Sequence, residues 1–151
     1  MSVHDSPCYT VSLEVAVPAE AAFRFLCDLE KLGGWALGCF DTRRSGENND
    51  LHQGTSLFDG SRNWVRVETD PNRFLVDYHV GDEETQAPRI SARVVPWVLL
   101  ERSPGTCIVS MTAWRTGGMS DDRWRRLCAT HDAEIYLIRE QLERSGGDIS
   151  K

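Results

Sequence analysis

From Asp121 to Arg144 the residues Trp124, Leu127, Cys128, His131, Ile135, Ile138 and Leu142 recur at steps of three and four, which is the period of one helical face. Arg123, Arg126, Asp132, Arg139, Glu140 and Glu143 fall on the opposite, solvated side. Ser120 stands where an N-cap is expected, with Asp121 and Asp122 in the first turn. A helix of about 24 residues runs roughly 36 Å, and a sheet of six or seven strands is roughly 30 Å wide. One such helix spans one whole sheet, and this match constrains the fold more than any other feature.

The preceding sequence supplies that sheet. Tyr9 to Val17 alternates, with Tyr9, Val11, Leu13, Val15 and Val17 on one face, and reads as a half-buried strand. Pro18 follows where its fixed φ suits a helix start, and Ala22, Phe25, Leu26 and Leu29 mark a helix to about Asp28. A short second helix fits from Leu29 or Glu30 to the Gly33-Gly34 pair. Six further strands are expected at Phe40 to Arg44, Thr55 to Asp59, Asn63 to Thr69, Arg73 to Val80, Arg89 to Leu100 and Thr106 to Thr116. Short turn-rich separators, among them Asp59-Gly60, Asp70-Pro71-Asn72 and Ser103-Pro104-Gly105, favour antiparallel neighbours. Pro96, inside the longest run, is expected at a bulge or an edge. On the last strand, either the Cys107, Val109, Met111, Ala113 set or the Ile108, Ser110, Thr112, Trp114 set faces inward.

The fold class is therefore α+β, in the order strand, two helices, five or six strands, one long helix. The chain reads as a single domain over residues 1–151, with its core at about 8–144.

Seventeen basic and twenty-three acidic residues give a net charge of −6, with no basic stripe, so nucleic acid is an unfavourable partner. Five cysteines, Cys8, Cys27, Cys39, Cys107 and Cys128, form no C-x-x-C pair and suit a reducing compartment. No apolar run reaches membrane-span length, and the sequence shows no signal-peptide pattern, so a cytoplasmic protein without a transmembrane segment is expected. No His or Cys pair has metal-ligand spacing, with His4 and His52 falling in tail and loop, and no cofactor is called for. A homodimer is compatible with the sequence.

Val11 to Trp35, V-S-L-E-V-A-V-P-A-E-A-A-F-R-F-L-C-D-L-E-K-L-G-G-W, resembles the first strand and helix pair of polyketide cyclase/dehydrase-like members of the START and pollen-allergen superfamily, SRPBCC. The pattern from Trp64 to Val80, followed by the amphipathic helix with His131, carries the resemblance along nearly the whole chain. It implies a helix-grip fold, a curved antiparallel sheet wrapped around the C-terminal helix. The resemblance departs at Ser45 to Gly54, S-G-E-N-N-D-L-H-Q-G, which lacks the glycine-rich loop of pollen-allergen-like members. No function of that loop is carried over.

In a grip fold, helix and curved sheet cannot pack flat along their whole contact, so an apolar gap with a few polar groups can remain. The expected partner is a small hydrophobic molecule, ring-bearing or acyl, with cyclase, dehydrase or aromatase chemistry as the enzymatic form. The candidate ligand-binding residues are Tyr78, Val76, Trp114, Trp124, Cys128, His131 and Ile135. His131 is the best catalytic candidate, because an imidazole works as acid, base or donor near neutral pH; the alternative is a core histidine satisfied by a carbonyl or hydroxyl. Tyr78 either orients a ligand or simply packs. Cys128, one turn from His131, reads as a buried inert thiol. Arg66, Glu68, Asp77, His79 and Arg93 read as a charge ladder on the outer face. Trp35, Trp64, Trp97, Trp114 and Trp124 either wall a cavity or fill it. A filled interior with an exposed apolar patch would instead mark a noncatalytic protein-interaction module of cochaperone-like or toxin-like kind.

Overall fold

The computed structural model describes residues 5–149. Its elements are β1 (Cys8–Val15), α1 (Ala19–Cys27), α2 (Leu29–Leu32), β2 (Phe40–Ser45), β3 (Asn48–Thr55), β4 (Arg62–Asp70), β5 (Leu75–Gly81), β6 (Gln86–Pro96), α3 (Trp97–Leu100), β7 (Cys107–Trp114) and α4 (Asp121–Ile149). Seven strands form one antiparallel curved sheet in the order β1-β7-β6-β5-β4-β3-β2. Sequential neighbours pair throughout β2 to β7. Only β1 joins out of turn, at the far side of β7, because α1 and α2 carry the chain across the sheet from β1 to β2.

Local chemistry accounts for most boundaries. Pro18 enters α1 with φ −62°, and Asp28 ends α1 and caps α2 by accepting from the backbone N–H groups of Glu30 and Lys31. Gly33 is required beyond α2, since a Cβ there would lie 2.3 Å from the backbone nitrogen of Thr42. The Ser120 hydroxyl accepts from the N–H of Arg123, 3.2 Å away, and caps α4. The helix then runs 29 residues, past the expected end at Arg144.

Three strand expectations are corrected. Thr55 to Asp59 is not a strand; Thr55 closes β3, and Ser56 to Gly60 turns, with the Gly60 N–H donating to the Ser56 carbonyl. Conversely β3 occupies residues read as loop, so His52 lies in a strand and is buried. A run such as Asn48-Asn49-Asp50-Leu51-His52 has no alternation to reveal it; backbone pairing to β2 and β4 makes it a strand. The third run, Arg89 to Leu100, stops at Pro96, after which Trp97 to Leu100 forms one helical turn capped by Glu101 at φ 52°. Pro96 holds an edge position at the end of β6, where ladder pairing to β5 has stopped at Arg93 and only β7 continues, opposite Cys107.

Alternation along β7 is resolved. Cys107, Val109, Met111 and Ala113 are buried, while Ile108, Ser110 and Thr112 are half-buried and Trp114 is exposed. On the outer face the Glu68 carboxylate meets Arg66 Nη1 of its own strand at 3.7 Å and His79 Nε2 across from β5 at 3.3 Å, which is part of the expected ladder.

Two apolar clusters lie beneath α4. The larger joins Ile135, Ile138 and Leu142 to Leu26 of α1, Leu32 of α2 and the inner faces of β1, β5, β6 and β7. The smaller joins Trp124 and Cys128 to Ala113, with Tyr9, Ile90, Met119 and Leu127 packed against it. Tyr9 also donates its hydroxyl to Asp132 at 2.6 Å, tying β1 to α4.

Candidate active site between the two clusters

A cavity of about 620 Å³ opens beside the second to fourth turns of α4. Its walls are Val65, Tyr78 and Ile90 from the sheet, Trp35, Ala36 and Cys39 from the segment after α2, and Leu127, Thr130, His131 and Glu134 from α4. Phe58, Arg89, Trp114, Arg123 and Arg126 also line it and are exposed, so they form its mouth. This volume suits a drug-sized molecule.

His131 lies in the wall, 1% exposed, and neither ring nitrogen has a hydrogen-bond partner in the protein. Burial lowers its pKa to about 4, against a weaker opposing effect of Asp132, so the ring is neutral at pH 7. One turn on, Glu134 is buried with Oε1 3.9 Å from His131 Nδ1. Its Oε2 accepts the Leu37 N–H at 2.8 Å. Burial raises the Glu134 carboxyl to about 8, and the Leu37 hydrogen bond only partly offsets this. The proton therefore resides on Glu134 and the imidazole is free to accept. Two groups whose environments push their pKa values apart can serve as acid and base.

Three of the seven candidate residues line the cavity, namely Tyr78, Trp114 and His131. Tyr78 presents its ring but not its hydroxyl, which donates to the Leu26 carbonyl at 2.6 Å, and its ring meets that of Trp35 edge-on at 5.9 Å. Trp114 stands at the mouth. Val76 and Ile135 are buried in the larger cluster, and Trp124 and Cys128 in the smaller. Burial also raises the pKa of the Cys128 thiol, disfavouring the thiolate. The five tryptophans do not fill the interior: Trp97 and Trp114 are exposed, Trp64 is half-buried, and only Trp35 and Trp124 are buried.

The sequence reading missed Glu134. Its signal was present, because Leu127, Thr130, His131 and Glu134 recur at steps of three and four, offset from the apolar stripe. Among the described residues, no group of three His, Cys, Asp or Glu side chains is arranged to hold a metal ion. No described helix is long and apolar enough to cross a membrane.

No protein-family model and no curated protein matches the chain. Solved structures do. The protein XoxI from Bacillus cereus superposes with a TM-score of 0.68 at 13% identity, over 97% of this chain and 99% of that one. The Zhui aromatase/cyclase from a Streptomyces species gives 0.63 at 15% identity, over 91% and 93%. A START superfamily protein from Mycobacterium smegmatis gives 0.59 at 11% identity, over 94% and 98%. The architecture is thus a helix-grip fold, shared with that START superfamily protein and with the Zhui aromatase/cyclase.

Proposed function

We propose that this protein binds a small hydrophobic molecule, ring-bearing or acyl, in the cavity beneath α4, with its polar group against His131 and Glu134. The observation that carries this reading is the buried imidazole in the cavity wall with both nitrogens unpartnered. Leaving a buried polar group unsatisfied costs roughly 1–3 kcal/mol, and a ligand hydroxyl or carbonyl would recover it. The likeness to an aromatase/cyclase supports a cyclase- or dehydrase-like chemistry. In that chemistry, protonated Glu134 donates to a carbonyl oxygen while neutral His131 removes a proton from the adjacent carbon, and the cavity holds the flexible substrate folded. Five free thiols support a reducing, cytoplasmic setting.

Fluorescence titration with N-phenylnaphthylamine, a neutral aromatic probe, tests the binding. Saturable one-to-one binding is expected. Val80→Trp, which places an indole on the inner face of β5 at the cavity, is expected to weaken it about tenfold or more while the melting temperature stays within a few degrees. Equal affinity in the variant would contradict the reading.

A protein-interaction module keeps one observation in its favour, the exposed turn of Trp97, Val98, Leu99 and Leu100. Sedimentation of wild type and Leu99→Glu tests that turn as a self-association surface; a monomer in both would count against it.

A further inference from the structure

Of the exposed residues that line the cavity, the charged ones are mostly basic. Arg89, Arg123 and Arg126 line it at its mouth, against one exposed acid, Asp59, in a chain whose net charge is −6. Among the described residues, arginines such as Arg43, Arg66, Arg115 and Arg144 meet a carboxylate at 2.6–3.7 Å. Arg89 and Arg123 form no such pair, and the Arg126 guanidinium instead lies over the Phe58 ring at 5.4 Å, within the field of Asp59. The Asp59 carboxylate is itself occupied by the Ser61 N–H at 2.9 Å.

The sheet turns Arg89 toward this mouth by a specific irregularity. Tyr78 faces Ile90 across β5 and β6, whereas the next residue, His79, faces Pro88, which leaves Arg89 as the extra residue of a β-bulge. Bulges re-aim side chains, and here the re-aimed group is a guanidinium on the cavity wall. Arg123 and Arg126 reach the same wall from one face of α4 at i and i+3. Deeper in, the walls change to Val65, Tyr78 and Ile90.

We propose that the cavity takes an amphipathic anion, its apolar body lying against Val65, Tyr78 and Ile90 and its anionic group held at the mouth by Arg89, Arg123 and Arg126. This rests on the binding reading above and specifies the ligand class. Guanidinium groups suit carboxylate and phosphate alike, because both offer paired oxygens to the planar fork.

N-phenylnaphthylamine and its sulfonated counterpart, anilinonaphthalene sulfonate, share one apolar body and differ by one anionic group. The sulfonate is expected to bind about tenfold more tightly at low salt, the size of one charge-assisted hydrogen bond, and to lose that preference as salt screens the mouth. Arg89→Gln combined with Arg123→Gln, both on exposed residues, is expected to remove the preference while leaving the neutral probe within about twofold. Loss of sulfonate binding in Val80→Trp locates it in the cavity rather than on the exposed turn of α3; retention there would overturn the proposal. Decanoate, decyl phosphate and decanol as competitors distinguish carboxylate from phosphate. Either anion outcompeting decanol supports the proposal, and decanol matching both overturns it. Binding of the neutral probe with no anionic preference would defeat this inference alone, whereas failure of both probes would defeat the binding reading itself.

Discussion

Helix α4 covers two regions of one sheet that are built differently. Along Ile135, Ile138 and Leu142 the helix is buried in the larger apolar cluster, against α1, α2 and the inner strand faces. Along Leu127, Thr130, His131 and Glu134 the same helix faces a cavity of about 620 Å³ and buries two ionisable groups 3.9 Å apart. The filled region buries apolar side chains of α4; the hollow one keeps a neutral imidazole without partners and a carboxyl without charge. Departures from local consistency collect where a protein has a task other than stability, and the contrast sets the scaffold apart from the proposed site.

Truncation should expose the difference most strongly. Ile138→Ala in the filled region is expected to cost about 2–5 kcal/mol, the transfer term plus a new void, read by chemical denaturation. Leu127→Ala, which borders existing space, should cost less than half as much. Equal losses would erase the distinction between the regions.

The second effect is one of pH. Glu134 is raised from 4.5 to about 8 in the folded state, so its proton stabilises the fold below pH 4.5 and that contribution disappears as pH rises through 8. His131 is lowered from 6.5 to about 4, so its contribution is intact above 6.5 and disappears as pH falls through 4. Between 4.5 and 6.5 the two slopes oppose each other. From pH 6.5 to 8 Glu134 acts without that opposition, and stability should fall by about 2 kcal/mol, one proton over one and a half pH units. Thermal melts of Glu134→Gln should lose this decline, while Gln still accepts from Leu37. An unchanged slope would place the proton elsewhere.

The smallest expected change has the opposite sign. His131→Leu replaces an unsatisfied ring with apolar bulk and should stabilise the protein by about 1 kcal/mol while weakening a ligand that bonds to the ring. Destabilisation would make His131 an ordinary part of the core.

The filled region was the legible one. The stripe Trp124 to Leu142, the alternation of β1 and the cap at Ser120 are local patterns, and each specifies its own element. The cavity is not local. Tyr78 stood on the correct strand face, yet its hydroxyl is committed to Leu26, a partner 52 residues away that no spacing reveals. Strand β3 was hidden because its polar run has no alternation, and its register with β2 and β4 is not local. Arg89 was hidden because a bulge is set by register between strands. Trp124 and Cys128 share a helical face with His131, but Ala113 and Met119 close over them. The stripe named the right helix, and the tertiary packing decided which of its residues meet open space.

The hollow region as a ligand site is tested most directly by nuclear magnetic resonance of the histidine rings during titration with N-phenylnaphthylamine. Saturable shifts of the His131 ring resonances are expected, with His79 on the outer face unmoved. Saturation without any change at His131 would contradict it.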